Sequence, residues 1–402
     1  MKNIPLIDYF PVLCFVLRVD SWVNMAVNNH LLERVEKFIQ TTLATWSEVG
    51  VDRETFDFIE ALDFDAKPLR KLARRGRVQA RQILTLAMAN KMGDDQNNTY
   101  LSLAESVIEK GLNHYLEDGA LIAKLDHNKE KDGHLFAYEQ AFLLSAYAWL
   151  YAATGKQIYA RKAEAIWQWL ETHLANQQYG GFNICLPDDE NNQIRQQNPH
   201  MHLFEACLIC VEHIGENNWL ERAHGLFSLF EAHFYYQGSN KQKVLLEFFT
   251  DNWKKDERKG DIIEPGHHFE WVWLLSEYQR LGSVDTKSYQ QALFQTGINY
   301  GLNALEFGVD ELNLKTMEVA RPSTRLWVEC ELLKAYVAMN ELDKADELVD
   351  KLFKHFLIED KGIWYDQLNE NQQNIAKNAP ASTLYHLYIA LNEYRKAGHK
   401  PN

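Results

Sequence analysis

Cysteine is scarce in this 402-residue chain, which holds only Cys14, Cys185, Cys207, Cys210 and Cys330. An odd number of cysteines, mostly embedded in apolar runs, excludes a disulfide framework and points to reduced, buried thiols. Cys207 and Cys210 have CxxC spacing, but they lie inside a helical pattern with no second pair, so no zinc or redox site is expected there. Basic residues are also in deficit, 42 against 56 acidic, for a net charge of −14. That balance excludes nucleic acid and anionic membrane as expected partners, since both need a basic footprint. Long hydrophobic runs are missing too, and nothing approaches the roughly 18 uninterrupted apolar residues of a membrane span. The N-terminal PLIDYFPVLCFVLRVDSWV is apolar but broken by Asp8, Pro11, Arg18 and Asp20, and it lacks the basic start and cleavage site of a signal peptide. The expectation is a cytoplasmic protein, monomer or homodimer, with residues 1–24 as an extension and 25–402 as one domain.

What is present is a repeat. Six segments are apolar almost all round, among them GHLFAYEQAFLLSAYAWLYAAT and GHHFEWVWLLSEYQRLG. Helices of that kind are buried on most sides. Between them run amphipathic segments such as KQIYARKAEAIWQWLETHL, where Ile158, Ala163, Ile166, Trp167 and Leu170 form one stripe. The buried segments start near residues 77, 134, 199, 265, 323 and 380, a period of roughly 60 residues that indicates stacked supersecondary units. Each unit is a buried helix, a short turn, an amphipathic helix and an irregular stretch that reads as a short hairpin, as in YGGFNICLPDDENN and KGIWYDQLNENQQ. The buried helices lack the polar face of an open solenoid. Closure into an all-α (α/α)6 barrel follows, with the buried helices inside and short β-hairpin-like loops between units.

Polar residues unsuited to a core fall at or near the starts of the inner helices. They include Arg77, Gln79, Arg81 and Gln82; Tyr138 and Glu139; Asn198, His200, His202 and Glu205; Glu264, His267, His268 and Glu270; Arg325, Trp327, Glu329 and Glu331; Ser382, Tyr385 and His386. Inner helices of such a barrel point the same way, so these turns meet at one mouth. Ser323, Ser382 and Asn198 also suit helix caps, and one histidine on an apolar helix is more often a satisfied core residue than a ligand. Convergence of several histidines, an arginine and several glutamates from different units is what core packing does not explain. The helix dipole disfavours imidazolium in a first turn, so these histidines are expected to be neutral bases. His267 and Glu270 share one helix face, which lets Glu270 orient His267 or pair with Arg81.

Three chemistries suit such a mouth. A divalent metal would bind His and Glu, but no HxxxH or CxxC half-site supports one, and no cofactor is implied. Glycoside hydrolysis needs two carboxylates, for which Glu264 and Glu270 are candidates, but leaves the histidines idle. Proton abstraction α to a carbonyl uses two bases and polar donors, and so employs the whole set.

The motifs RVQARQ (77–82), NPHMHLFEA (198–206), IEPGHHFEWVWLL (263–275), RLW (325–327) and APASTLYHL (379–387) resemble the N-acylglucosamine 2-epimerase superfamily, most closely its D-mannose isomerase branch. They recur in order over most of the chain. The resemblance implies an (α/α)6 barrel and metal-independent interconversion of sugars at C1 and C2 through a cis-enediol. It implies His267 and His386 as the acid/base pair, with Arg81 and Glu270 beside them. Asn198, His202, Glu205, Glu264, Tyr138 and Trp327 are the expected substrate-contacting positions, Trp327 as a stacking face. Val328-Glu329 departs from the family's pattern, where Pro-Gln would follow the tryptophan. Aldose–ketose isomerisation of mannose and fructose is the leading expectation. A sugar 2-epimerase comes next, then a hydrolase or a non-catalytic sugar binder.

Overall fold

The structure, a computed structural model, describes residues 28–187, 194–215, 217–238 and 241–398; the expected extension over 1–24 lies outside them. Twelve α-helices alternate along the described chain. The odd-numbered ones are α1 (Asn29–Glu48), α3 (Thr99–Lys110), α5 (Gln157–His173), α7 (Asn217–Leu229), α9 (Lys287–Tyr300) and α11 (Leu342–His355). The even-numbered ones are α2 (Gly76–Met92), α4 (Ala137–Thr154), α6 (Gln197–His213), α8 (Pro265–Gly282), α10 (Leu326–Ala338) and α12 (Ser382–Gly398). Even helices pack on one another in order, and α12 returns to α2, which makes an inner ring of six inside an outer six. The sixth outer place is filled from the other end of the chain, because α1 packs against α12.

Sequence pattern sets which ring a helix joins. In α11 only Leu342, Ala345, Leu348, Val349, Leu352 and Phe353 are buried, a single stripe at helical spacing. In α4, by contrast, an unbroken run from Glu139 to Leu150 is buried, as suits a helix with neighbours on every side. The stripe on α5 differs from expectation by one residue. Tyr159, Ala163, Ile166, Trp167 and Leu170 are buried, while Ile158 is 44% exposed, because only 159 keeps the i, i+4, i+7, i+8 spacing. Tight stops follow the inner helices, as at Gly155, whose φ of 67° favours glycine.

The seam between chain ends is closely packed. Trp46 of α1 stacks on Trp364 with ring centroids 5.2 Å apart. Burying a ring of that size is worth about 4–6 kcal/mol before entropy is charged. Gly362 faces α1 at φ 63°, and a Cβ there would lie 2.7 Å from the Thr42 Cα, so only glycine fits.

A belt of short antiparallel pairs rings the mouth. The two-residue strand before each inner helix pairs with a loop of the next unit: Arg74–Arg75 with Lys124–Leu125, Leu135–Phe136 with Cys185–Leu186, Arg195–Gln196 with Phe248–Phe249. The series continues with Ile262–Ile263 on Leu312–Asn313, and Thr324–Arg325 on Gln367–Leu368. It closes where Ala379–Pro380 meets Ala61–Leu62 from the first loop. Of the two stretches expected to be hairpins, KGIWYDQLNENQQ is paired outward: Ile363–Trp364 with Leu357–Ile358 just before it, and Gln367–Leu368 across units with Thr324–Arg325. In the other stretch Cys185–Leu186 likewise pairs across units, with Leu135–Phe136, and its residues 188–192 lie outside the described ones.

Five inner helices also pin the loop behind them with a polar side chain at their fourth residue. Gln79 bonds the backbone of Phe58, and Gln140 that of Leu121, each through N–H and C=O. His200 accepts from Phe182 N at 2.9 Å, His268 from Leu245 N at 3.1 Å, and Glu329 from Gly308 N at 2.8 Å. The Nδ1 atoms of His200 and His268 lie 2.9 and 3.2 Å from the carbonyls of Gln196 and Glu264. A carbonyl can only accept, so Nδ1 carries the proton in both rings. These histidines serve the scaffold rather than the mouth.

Candidate active site

At the N-terminal ends of the inner helices lies a cavity of about 310 Å³. Arg81, Tyr138, Asn198, His202, Glu264, His267, Glu270, Trp327 and His386 line it, joined by Arg325, Asp366, Ser382 and Thr383. Nine of the ten expected site residues are thus brought together from six inner helices. Glu205 is the exception. It sits behind His202, with Oε2 3.0 Å from His202 Nδ1 and Oε1 accepting from the Tyr385 hydroxyl.

Trp327 lies between the two histidines expected to move protons, with ring centroids 5.2 Å from His267 and 5.9 Å from His386. Gly266 allows this, since a Cβ there would approach the Trp327 ring to 2.5 Å. Arg81 donates to Tyr138 Oη at 2.8 Å and to Ser382 O at 3.0 Å, and its guanidinium lies 4.0 Å over the Phe142 ring. It has no carboxylate partner among the described residues. Arg325, by contrast, is bound to Asp310 at 2.6 Å.

The two histidines differ in charge. His267 places Nδ1 3.0 Å from Glu247 Oε2. Burial opposes its charged form, but Glu247 and Glu264 outweigh burial and push the imidazole up to about 10. The expectation of a neutral imidazole there is therefore corrected: two carboxylates override the helix dipole. Glu247, rather than Glu270, orients His267, and Glu247 is held in turn by Gln197 at 2.9 Å, to which Trp271 donates. His386 behaves as expected. Its Nδ1 is 2.8 Å from Glu331 Oε1, and burial together with Arg81 and Lys334 holds it well below the usual histidine range. His202 is likewise lowered, by burial against the pull of Glu205. Glu270 is fully buried with both oxygens lacking hydrogen-bond partners, and burial beside Glu331 and Glu205 holds its carboxyl far up. Glu270 does not pair with Arg81, whose bonds go elsewhere. Glu264 is raised too, by burial first and then by Glu247.

Three sets bring histidine and carboxylate atoms within 4.8 Å: His202, Glu205 and Glu270; Glu247, Glu264 and His267; Glu270, Glu331 and His386. Each contains an Nδ1–carboxylate contact of 2.8–3.0 Å. Such pairs fix tautomer and basicity.

The match to known proteins runs through these residues. Positions 57–390 fit the model of the N-acylglucosamine 2-epimerase family. The chain belongs to that family. A relative named mannose-6-phosphate isomerase, from Rhizobium meliloti (strain 1021), is 31% identical over 370 residues, covering 87% of this chain and 93% of its own. Among solved structures, a D-mannose isomerase superposes with a TM-score of 0.81 at 21% identity, over 92% of this chain and 98% of that one. The cellobiose 2-epimerase from Bacillus thermoamylovorans B4167 gives 0.80 at 18% identity, over 92% and 100%. These two likenesses confirm the barrel.

Within the family frame, the departure at Val328-Glu329 has a structural resolution. Glu329 fills the loop-pinning place, as a buried carboxyl held well above the usual range by desolvation. Sequence reasoning passed over Glu247 and Lys334 and gave Glu331 no role. All three had a signal: a lone charge in an apolar run, as in VLLEFF, or an opposite-charge pair three residues apart in ELLKAYVA on an inner helix.

Proposed function

We propose that this protein interconverts D-mannose and D-fructose by proton transfer through a cis-enediol. One observation carries the reading: two histidines flank Trp327 in one cavity, each with a carboxylate on Nδ1, one pushed up by its carboxylates and the other held down by burial. The remaining nitrogen, Nε2, is then a donor on His267 and an acceptor on His386. With the open-chain sugar over Trp327, His386 Nε2 takes the proton from C2. The C–H electron pair forms the C1=C2 bond while O1 takes the proton of His267 Nε2. Arg81, with no carboxylate to neutralise it, stabilises negative charge on the enediolate oxygens. His267 then recovers a proton from O2, and His386 returns its proton to C1 to give the ketose. Glu270, kept as a neutral acid, donates to a sugar hydroxyl.

Charge around the mouth favours a free sugar over its phosphate. Arg75, Arg77 and Arg325 are each paired with a carboxylate, Glu60, Glu139 and Asp310, which leaves no cluster of free cations at the mouth among the described residues for a phosphate dianion. The Glu264–Glu270 pair suits a hydrolase poorly, since Glu270 is held far up and hydrolysis leaves both histidines idle. A 2-epimerase reading shares every residue and differs only in returning the proton to C2 from the other face. Incubation with mannose decides: fructose is expected, with mannose 6-phosphate turned over poorly and activity retained in EDTA. Glucose as sole product would make the protein an epimerase, and loss of activity restored by zinc would overturn the imidazole mechanism. The reading implies a cytoplasmic protein, with monomer or homodimer both compatible.

A further inference from the structure

Beneath the cavity lies a lysine that the proton-transfer scheme does not use. Lys334 is fully buried on α10, one turn beyond Glu331, with Nζ 2.6 Å from Glu331 Oε2 and 3.9 Å from the Trp273 ring centroid. The other oxygen of Glu331 is the one that meets His386 Nδ1. A chain therefore runs Lys334–Glu331–His386, ending on the nitrogen that decides which face of the imidazole carries the proton. Burying an ammonium is costly unless it is paired.

We propose that Lys334 is a positioning residue for His386. By pairing with Glu331 it keeps that carboxylate ionised against Nδ1, and so keeps Nε2 as the proton acceptor facing the cavity. The surroundings make such a cation necessary. Glu331 on α10, Glu270 on α8 and Glu205 on α6 all meet here, with His202 on α6, Tyr385 and His386 on α12 and Arg81 on α2 as the other titratable or charged neighbours. Without Lys334, burial and mutual repulsion would protonate one of the carboxyls, or His386 would take the proton and cease to be a base. Burial pushes Glu331 up and Lys334 pulls it only part of the way back, while the same ammonium holds His386 down. Lys334 itself stays charged, since the carboxylates around it, Glu331 first, outweigh its burial.

The inference rests on the proposed function only for its kinetic readout, so the test has a second arm. In Lys334→Met, kcat on mannose at pH 6 is expected to fall on the order of tenfold, a fraction of what a general base supplies. KM should change little, and the acid limb of the kcat–pH profile should move upward. The double variant Lys334→Met/Glu331→Gln, which removes both charges and keeps an acceptor on Nδ1, should regain part of the loss; a packing role predicts no such rescue. Independently of any sugar, ¹⁵N-histidine NMR should show His386 in the Nδ1–H form at neutral pH in the unmodified protein, titrating at higher pH in Lys334→Met. Unchanged titration in the folded variant overturns the inference. If that variant does not fold, an Nε2–H tautomer or a charged His386 in the unmodified protein overturns it instead. A protein inactive on mannose and fructose, yet with the expected NMR behaviour, would sink the functional reading and leave Lys334 its role.

Discussion

His267 and His268 are adjacent in sequence and belong to different regions of the molecule. His267, with His386, faces the cavity; His268, with His200, lies in the layer that pins loops to the inner ring. Burial is nearly complete in all four, so exposure does not distinguish them. Their partners do. In the cavity pair Nδ1 meets a carboxylate and Nε2 faces open space. In the pinning pair Nδ1 meets a backbone carbonyl and Nε2 meets a backbone N–H, so both nitrogens are used. Burial then holds His200 and His268 down to about 4, whereas a change of carboxylate surroundings sends His267 up and leaves His386 low. A buried histidine becomes chemistry when one nitrogen has a charged partner and the other has none.

The largest effect expected from this contrast is on turnover. His386→Asn and His267→Asn should each lower kcat by about 10²–10⁴, with sugar binding and the melting curve little changed. Steady-state kinetics and thermal denaturation check this, and near-normal kcat in either variant would remove the distinction between the two regions. A smaller change is expected when the partner is altered. Glu247→Gln removes the charge that raises His267, so the acid form should be lost at lower pH and the basic limb of the kcat–pH profile should move down. A limb that stays in place would assign it to another group.

On the pinning side the effect is on stability. His268→Ala leaves the Leu245 N–H buried without an acceptor, at a cost of about 1–3 kcal/mol, measurable by chemical denaturation. His268→Gln should cost much less, because Gln79 and Gln140 pin the equivalent loops in their own units. Equal losses for Ala and Gln would mean that the ring, not the hydrogen bond, matters at this position. The smallest expected effect is a difference in slope with pH. A histidine at about 4 when folded and 6.5 when unfolded takes up its proton on unfolding. Its stabilising contribution is present above about pH 6.5 and is lost as pH falls toward 4. The melting temperature should drop through that window, and His268→Gln should drop less steeply than the unmodified protein.

Much of this was legible in the residues. The helical period, the near-uniform apolarity of the inner segments and the alternation with amphipathic ones require two nested rings, since each inner helix must be covered on all sides. Polar residues concentrated at the starts of those helices then had to share one mouth. Neither argument could divide His267 from His268, because at the start of a helix both directions are near polar groups. Glu205 and Glu270 also read alike, as site carboxylates, yet Glu270 near the start of α8 faces the cavity while Glu205, deeper in α6, supports His202.

Amino-acid order thus determined the barrel, its repeat and the set of side chains available at the mouth, because hydrophobic periodicity and helix direction are local properties of the chain. Protonation was decided only by the tertiary structure. Glu247 reaches His267 from a loop 20 residues earlier, and Glu331 meets His386 across 55 residues. Coulomb interactions in a buried site depend on distances of a few ångströms between groups far apart in sequence, and only the closed ring sets those distances.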